Sequence, residues 1–221
     1  MSVTVTARSQ ATRESLESAA LAVLQAGGIA GLSARTVADR AGQNQALIFY
    51  HYGTLAGLID AACRRSAEVS TARYRDALAA VSSFGELLEV GRGLHEQERQ
   101  AGNVRVMAQL LAGAQQDAAL AATARFCLDR WHGEIEPVVR RLLRDSPLAL
   151  VVDARSLART ISAGFVGVEL YEGADPSGAN EALEALQRLG VLLEAMDDLG
   201  PVGRRALRGV LRRAAKSRGQ I

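Results

Sequence analysis

Apolar residues recur at helical spacing along most of the chain. The first predicted helix covers about residues 8 to 25, and its apolar positions fall at i, i+4, i+7 and i+8. These positions are Leu16, Ala20, Val23 and Leu24. Gly27 and Gly28 end the helix, and Ser33 offers a hydroxyl N-cap for the next one.

The same periodicity predicts nine further helices, separated by breaks rich in glycine, serine, aspartate or proline. They cover approximately residues 33–40, 44–51, 54–80, 84–100, 103–116, 120–144, 153–172 and 179–198, with a last one opened by Pro201. The most pronounced loop is 173–178, and Pro137 predicts a kink or an error of assignment. Aromatic residues make up 4% of the chain and β-branched runs are short, so the predicted fold class is all-α.

Length and composition narrow the class of protein. The chain has 221 residues, 48% of them hydrophobic, which is enough for a proper core. Its two cysteines, Cys63 and Cys127, are far apart and indicate neither a disulfide framework nor a metal cluster. The polar N-terminus and the lack of a long apolar run predict a cytoplasmic protein without a membrane partner, and no cofactor is expected.

Charge is unevenly distributed, although the net charge is only +2. Residues 1–65 carry six arginines against four acids, residues 66–198 carry thirteen against twenty, and residues 199–221 carry seven basic residues and no acid. The weakly basic start supports DNA binding poorly, so a motif must carry that inference. The basic last helix is interpreted as a solvated face, with contact to phosphates or a membrane surface as the alternatives.

A helix-turn-helix spacing occurs in residues 32–52. Small Ala38 lets two helices approach, Gly42 forms the turn between them, and Ile48 fills the space that they enclose. Val37 and Leu47 are predicted to face the same small core.

The second helix of this motif presents residues suited to DNA. Gln43, Asn44 and Gln45 offer amides for adenine edges, and the methyl group of Ala46 suits a thymine methyl. The start of the preceding helix offers groups for phosphates, namely Ser33, Arg35 and Thr36.

Two stretches of this region resemble the signature of the tetracycline-repressor (TetR) family: TVADRAG at 36–42 and IFYHYGT at 48–54. The resemblance implies a DNA-binding head, assigned to residues 8–53, and a helical effector-binding and dimerisation body, assigned to residues 54–221. It implies base contacts from 43–46 and phosphate contacts from Thr36, Tyr50, His51 and Thr54. One departure is Leu55, where the family usually has a lysine that favours a phosphate contact.

Aromatic residues in the motif have more than one interpretation. Phe49 and Tyr52 are predicted to be packing residues, because aromatics at helical spacing belong more often to a core. Tyr50 and His51 are left open between solvent-exposed positions and phosphate donors.

A dimer interface is predicted from glycines inside a helix. Ala163, Gly164 and Gly167 share nearly one helical face, which allows close approach of a partner helix. With Leu183 and Leu186 of the next helix they predict a four-helix homodimer interface, and packing within the chain is the alternative. A two-fold dimer would read a palindromic operator in double-stranded DNA.

An effector pocket is predicted among the middle helices. The candidate wall residues are Met107, Leu110, Leu111, Phe126, Cys127, Trp131, Phe165 and Glu169. The aliphatic character of these helices favours a hydrophobic small molecule. Ordinary core packing is the alternative for most of them.

These features predict a ligand-responsive repressor that is released from DNA by a small molecule. The alternative is a DNA-binding regulator controlled by a protein partner or acting constitutively. An enzyme is not expected: His132 and Glu134 match half of a zinc-deaminase signature whose cysteine half is missing, and Gly91-Arg-Gly93 lacks the third glycine of a dinucleotide loop.

Overall fold

The computed structural model describes residues 2–197 and 199–217, and over these residues it consists of ten α-helices and two short 3₁₀ turns without a strand. The predicted all-α class is confirmed. The helices are α1 Ser2–Gly27, α2 Ala34–Ala41, α3 Ala46–Tyr52, α4 Leu55–Ala80, α5 Phe84–Gln100, α6 Asn103–Gly113, α7 Ala118–Leu143, α8 Ala154–Glu172, α9 Pro176–Asp197 and α10 Pro201–Ser217. The predicted helix end at residue 198 and the end of the basic tail at 218–221 lie outside the described residues.

Several helix starts differ from the prediction. The largest difference is in α1, which begins at Ser2 rather than at about residue 8, and α7 begins at Ala118 rather than at about 120. Helix α9 begins at Pro176 rather than at about 179, because proline suits the first helical position and the Asp175 carboxylate accepts a hydrogen bond from the Gly178 N–H at 2.9 Å. Helix α3 begins at Ala46 rather than at Asn44, for a reason given below. Helix α7 continues through Pro137, so the predicted error of assignment there is wrong.

The first compact unit comprises the residues up to Ser70 together with Glu98–Asp129. One of its clusters joins α1, α2, α3 and the start of α4, and it contains the fully buried Leu16, Val37, Ile48 and Leu58. A second cluster packs the end of α1 and the middle of α4 against α6 and α7; its members include Leu24, Cys63, Leu110 and Cys127. The predicted domain division after residue 53 coincides with the end of α3 and stays a prediction.

The second compact unit comprises Thr71–Gln97 and the residues from Arg130 onward. Its main cluster is built from the ends of α4 and α7, the start of α5, and Ala158 of α8. A smaller cluster joins α8 to α9 through Val168, Ala179 and Leu183. Helix α10 packs against the 3₁₀ turn Pro147–Leu150.

No single helix among the described residues is both long and apolar enough to cross a membrane. The pair α3 and α4 meets the two criteria only when joined across its 66° bend.

Candidate nucleic-acid interface

Helix α2 is fixed at its start by a reciprocal cap. The Thr36 N–H donates to the Ser33 hydroxyl at 3.0 Å, and the Ser33 N–H donates to the Thr36 hydroxyl at 3.0 Å. This capping box satisfies two backbone donors at the helix N-terminus. The predicted N-cap is therefore confirmed, and both hydroxyls that were predicted to meet phosphates are also engaged within the chain.

The turn between α2 and α3 matches the predicted spacing. Gly42 adopts φ 62° and ψ 32°, the left-handed region that favours glycine, directly after the last residue of α2. Ala38 and Ile48 are 3% and 0% exposed, and they pack in the same cluster as Val37 and the half-buried Leu47. The two helices thus meet across the small core that the motif requires.

Asn44 lies before helix α3 and caps it. Its side-chain Oδ1 accepts a hydrogen bond from the Ala46 N–H at 2.8 Å, so the helix begins at Ala46 and Gln45 takes the cap position. The prediction that Asn44 belongs to the helix is wrong for this reason. Asn44 still lies exposed beside Gln45 and Ala46 at the N-terminal edge of α3, while Gln43 is half-buried.

Two aromatic side chains extend from the outer face of α3. Tyr50 is 80% exposed and Phe49 is 51% exposed. The prediction that Phe49 is a packing residue is wrong, because Ile48 and Leu47 already fill the space between the helices. The half-buried His51 ring lies edge-on to Tyr50, with centroids 4.8 Å apart, a favourable arrangement of aromatic rings.

Tyr52 ties α3 to α1 and α4. Its hydroxyl donates to the Glu17 carboxylate at 2.8 Å, and Glu17, 8% exposed, also accepts from the Arg65 guanidinium at 2.9 Å. Burial and the neighbouring Glu17 raise the pKa of Tyr52 to about 12, so the phenol stays a hydrogen-bond donor. Sequence reasoning identified the packing of Tyr52 but missed this network, since no spacing rule links residues 17, 52 and 65.

The start of α4 is built for close approach to α3. The Thr54 hydroxyl accepts from the Gly57 N–H at 2.9 Å and so caps the helix. A Cβ on Gly57 would overlap the carbonyl oxygen of Tyr52, so only glycine fits here. Leu55, the departure from the family pattern noted above, is half-buried and packs against both clusters of the first unit.

Exposed charge near this face is limited. The Arg35 guanidinium lies 3.8 Å from the Asp39 carboxylate, and both side chains are more than 70% exposed, so this pair is loose and contributes little to stability. Arg35 can therefore exchange its partner for a phosphate at small cost.

The eight predicted effector-binding residues fall into different clusters. Five belong to the second cluster of the first unit: Met107, Leu110, Leu111, Phe126 and Cys127. In that cluster Leu110 and Cys127 are 1% and 2% exposed, and the guanidinium of Arg64 covers the Phe126 ring at 4.2 Å. Burial raises the pKa of the Cys63 and Cys127 thiols to about 12 and about 11, which keeps both protonated.

The other three predicted wall residues lie in the second unit. Trp131 packs in the main cluster beside Tyr74, with ring centroids 6.0 Å apart, and Phe165 packs where Gly91 leaves room for its ring. Glu169 lies 3.7 Å from Nδ1 of His95, a residue that is 4% exposed. The two cavities described in this unit are lined by other residues.

His95 is a buried imidazole held by two carboxylates of α8. Its Nε2 lies 3.2 Å from the Glu172 carboxylate, on the side opposite Glu169. The contact with Glu169 and the nearby charge of Glu172 raise the pKa of His95, against the opposing effect of burial. Sequence reasoning found no role for His95, because its acidic partners are more than 70 residues away along the chain.

The predicted dimer residues divide into exposed and buried ones. Ala163, Gly164 and Gly167 are exposed on α8, and nothing lies within 4 Å of a Cβ built on either glycine. Leu183 is 6% exposed and already packs within the chain against Val168, and Leu186 is half-buried. Exposed apolar side chains continue the surface on α8 and α9: Leu170, Tyr171, Leu189, Val191 and Leu192.

Among the described residues no group of three or more histidine, cysteine or acidic side chains is arranged to hold a metal ion.

Comparisons with known proteins agree with the geometry of the first three helices. The sequence model of the bacterial regulatory proteins of the tetR family matches residues 16–62, which run from the middle of α1 to the start of α4. No curated protein matches the chain.

Solved structures share the fold over most of the chain. A TetR-family transcriptional regulator from a Rhodococcus species is 22% identical, with TM-score 0.70 over 83% of this chain and 98% of that one. The multidrug-binding protein EbrR, solved with proflavin, is 27% identical, with TM-score 0.56 over 80% and 99%. FadR from Bacillus subtilis, solved with stearoyl-CoA, is 14% identical, with TM-score 0.65 over 78% and 96%.

The matched segment contains each element of the capped helix-turn-helix described above, and the likeness of fold extends well beyond it. Residues 16–62 are therefore similar to the DNA-binding region of the tetR family of bacterial regulatory proteins, and the chain has the all-α fold of the transcriptional regulators that it resembles.

Proposed function

We propose that this chain is a dimeric repressor that binds a palindromic operator through α3 and is released by a small molecule. One observation carries the DNA-binding part of this proposal: α3 is anchored on its inner side by Ile48 and Tyr52, while its N-terminal edge and Tyr50 are exposed. A short helix held in this way presents fixed hydrogen-bonding groups to the major groove.

The exposed residues divide by chemistry into base-reading and phosphate-binding groups. Gln45 and Asn44 carry amides that pair with adenine edges, and the Ala46 methyl packs on a thymine methyl. Because Asn44 Oδ1 is already used in the cap, its NH₂ group remains for a base acceptor. The half-buried Gln43 is assigned with them to the base contacts. The phosphate contacts are assigned to Arg35, Tyr50 and the polar groups around them, namely Ser33, Thr36, His51 and Thr54.

The first experiment is a mobility-shift titration on the DNA upstream of the chain's own gene, at stated salt concentrations. The double variant Asn44→Ala, Tyr50→Ala is expected to lose sequence-specific binding while its circular dichroism spectrum stays helical. Arg105→Ala on α6, exposed and far along the sequence from α3, serves as the control and is expected to bind like wild type. Absence of specific binding by the wild-type protein across the salt range would contradict the proposal.

Two single variants separate base reading from phosphate binding. Gln45→Ala is expected to relax specificity at one base pair at a cost of about 1–3 kcal/mol. Arg35→Ala is expected to weaken binding to all sequences equally. It is also expected to lower the slope of the logarithm of the binding constant against the logarithm of the salt concentration by about one. If both variants changed only the salt dependence, α3 would lack a base-reading role.

The dimer is assigned to the exposed face of α8 and α9. Gly164 and Gly167 leave open space at the surface of α8, which permits close approach of a second copy, and Leu189 and Leu192 of α9 are more than half exposed. Leu183 supports this surface from inside the chain by packing α9 on α8. An isologous pairing of two such hairpins gives a four-helix interface and two α3 helices related by a two-fold axis.

Effector release is supported by two kinds of observation. Ligands occupy the related structures of EbrR and FadR, namely proflavin and stearoyl-CoA. In this chain, five predicted wall residues lie in the cluster that contains Leu24 of α1, so a ligand that separates them would act directly on a helix of the DNA-binding motif. Such a ligand shifts DNA affinity only by its differential affinity for the two arrangements.

The effector hypothesis is tested by adding proflavin or stearoyl-CoA to the operator complex and to the free protein. Loss of the complex together with a raised melting temperature would support a hydrophobic effector. If only small, highly charged compounds raised the melting temperature, the effector would not be hydrophobic. If a broad panel of compounds changed neither quantity, the regulator without a small-molecule effector would be the better description.

A further inference from the structure

A buried histidine lies between helix α5 and two carboxylates of helix α8. Nε2 of His95 is 3.2 Å from the Glu172 carboxylate, and Nδ1 is 3.7 Å from the Glu169 carboxylate. The side chains of His95, Glu169 and Glu172 are 5%, 16% and 23% exposed, so water screens the three groups only in part. Both ring nitrogens therefore face acidic oxygens of the same helix in a largely dry contact.

Only the protonated ring suits both carboxylates. A neutral imidazole has one N–H donor and one lone pair, whereas the imidazolium has two donors. The shorter contact at Nε2 places the single proton of the neutral ring there, so Nδ1 then turns its lone pair toward Glu169. Nδ1 has no hydrogen-bond partner among the described residues, and at 3.7 Å its attraction to Glu169 depends on the charge of the ring. This contact is attractive only while His95 carries both protons.

Other charged groups near His95 along α5 have partners of their own. Arg92, one turn before it, donates to Gln187 of α9 at 2.8 Å, and Glu98, one turn after it, accepts from Asn103 at 2.7 Å. Further charged groups of α4, α5, α7 and α9 are also engaged: Glu96, Arg99, Arg75 with Glu134, and Arg188 with Glu184. The contact with Glu169 and the charge of Glu172 raise the pKa of His95, against the effect of burial.

A second contact seats α8 on α5 beside the histidine. The Phe165 ring, one turn before Glu169, lies where a Cβ on Gly91 would overlap it, and Gly91 lies one turn before His95. The two contacts follow one stripe of α8. Gly167 lies roughly on the opposite side of this helix, where it is exposed. The face assigned to the dimer therefore belongs to a helix whose other side is held by His95.

We propose that His95 makes dimer formation dependent on pH, because the charged ring keeps α8 seated on α5 and the neutral ring repels Glu169. This inference rests on the dimer assigned to α8 and α9 above. Since the folded pKa of His95 is raised above its ordinary value of about 6.5, the ring loses its charge as the pH rises through the folded value. The dimer is strongest below that range and weakens as the solution becomes alkaline.

The test measures the dimer dissociation constant of the full-length protein by sedimentation equilibrium from pH 6 to pH 9. The wild-type Kd is expected to rise about tenfold or more across this range, since a difference of one pKa unit between two states changes an equilibrium tenfold. His95→Gln is expected to lose this dependence. His132→Gln on α7, a half-buried histidine outside the contact with α8, is the matched control and is expected to keep the wild-type profile.

A second variant keeps the imidazole and changes its partner. Glu169→Gln is expected to move the midpoint of the pH dependence downward, because it removes the charge that faces Nδ1. The titration of the ring itself is followed by NMR of the histidine Cε1–H signals. The chain has three histidines, and the signal of His95 is the one absent from His95→Gln. Its midpoint is expected above about 6.5 in the wild type and lower in Glu169→Gln.

Three outcomes would overturn the proposal. The first is a midpoint for His95 at or below about 6.5 in the NMR titration. The second is a dimeric His95→Gln protein with the pH profile of the wild type, in which case the dimer would stand without the switch. The third is a wild-type protein that is monomeric at every pH, which would remove the proposed dimer and the switch together.

Discussion

Helix α3 and the hairpin of α8 and α9 both expose apolar side chains, but they do so on different supports. Tyr50 is 80% exposed on a helix of seven residues that is capped at its start by Asn44 and tied at its end by Tyr52. Leu192 is 61% exposed on a helix of 22 residues with an aliphatic surface. The short, fixed helix suits recognition by directed hydrogen bonds, whereas the long surface suits association through buried area, which has no preferred direction.

The largest effect is expected from breaking the second of these surfaces. Gly167→Glu places a charge where the single chain has open space, so the fold is retained while a close helix pairing is prevented. We expect monomers in analytical ultracentrifugation and a loss of operator affinity of about a hundredfold.

The control for this variant is Ala122→Glu, an equally exposed change on α7. It is expected to leave the oligomeric state unchanged. A dimeric Gly167→Glu protein would contradict the assignment of the α8 face to the interface.

The support of α3 is tested by Gly57→Ala. The added methyl group meets the carbonyl oxygen of Tyr52, so the start of α4 must move away from α3. We expect the free energy of unfolding to fall by about 2 kcal/mol in urea titrations. The matched change Gly93→Ala, in open space on α5, is expected to stabilise the protein by about 0.5–1 kcal/mol. Equal effects of the two variants would show that the α3–α4 contact has no special role.

A smaller effect is expected from Tyr52→Phe, which removes the hydroxyl from the buried Glu17 carboxylate. A hydrogen bond to a charged group contributes about 1.5–3 kcal/mol, and Arg65 retains part of the network, so we expect a loss near the lower end. Chemical denaturation measures this loss. Tyr50→Phe, on the exposed face, is expected to leave the free energy of unfolding unchanged, and a similar loss there would refute the comparison.

The smallest effect concerns the support of α8 by His95. Because the folded pKa of His95 is raised above its unfolded value of about 6.5, its stabilising effect is complete below that value and is lost as the pH rises through the folded pKa. His95→Gln is therefore expected to destabilise the protein more at pH 6 than at pH 8.5, because the imidazole carries its charge only at the lower pH.

Glu169→Gln removes one of the partners that raise the pKa, and it is expected to move this pH dependence downward. Denaturation at several pH values measures both variants. A pH-independent difference between His95→Gln and the wild type would mean that His95 acts only by packing.

The DNA-binding motif was predictable because each of its three key residues has a single steric role. Ala38, Gly42 and Ile48 must be small, left-handed and apolar in that order, and the structure places all three as expected. The start of α3 was misjudged because the Asn44 side chain competes with the backbone for the first hydrogen bond, a local choice that apolar periodicity does not report.

The body was predictable as helices but not as surfaces. An apolar stripe indicates that one face of a helix is buried. It does not indicate whether that face packs against the same chain, a second copy or a ligand. Leu183 and Gly167 entered one prediction together, yet the first is buried within the chain and the second is exposed. The His95 contacts and the Tyr52 network join residues distant in the sequence, so they appear only once the chain is folded.

The cap on α3 has a consequence for how this protein can change its target. Asn44 caps the start of α3 and is also a proposed base contact, so a substitution that alters base preference there is expected to alter where the helix begins as well. Among the described residues, the side chains of Gln45 and Ala46 make no such capping contact. Drift toward new operators is therefore expected to proceed through positions 45 and 46, while position 44 stays restricted to side chains that can accept a hydrogen bond from the Ala46 N–H.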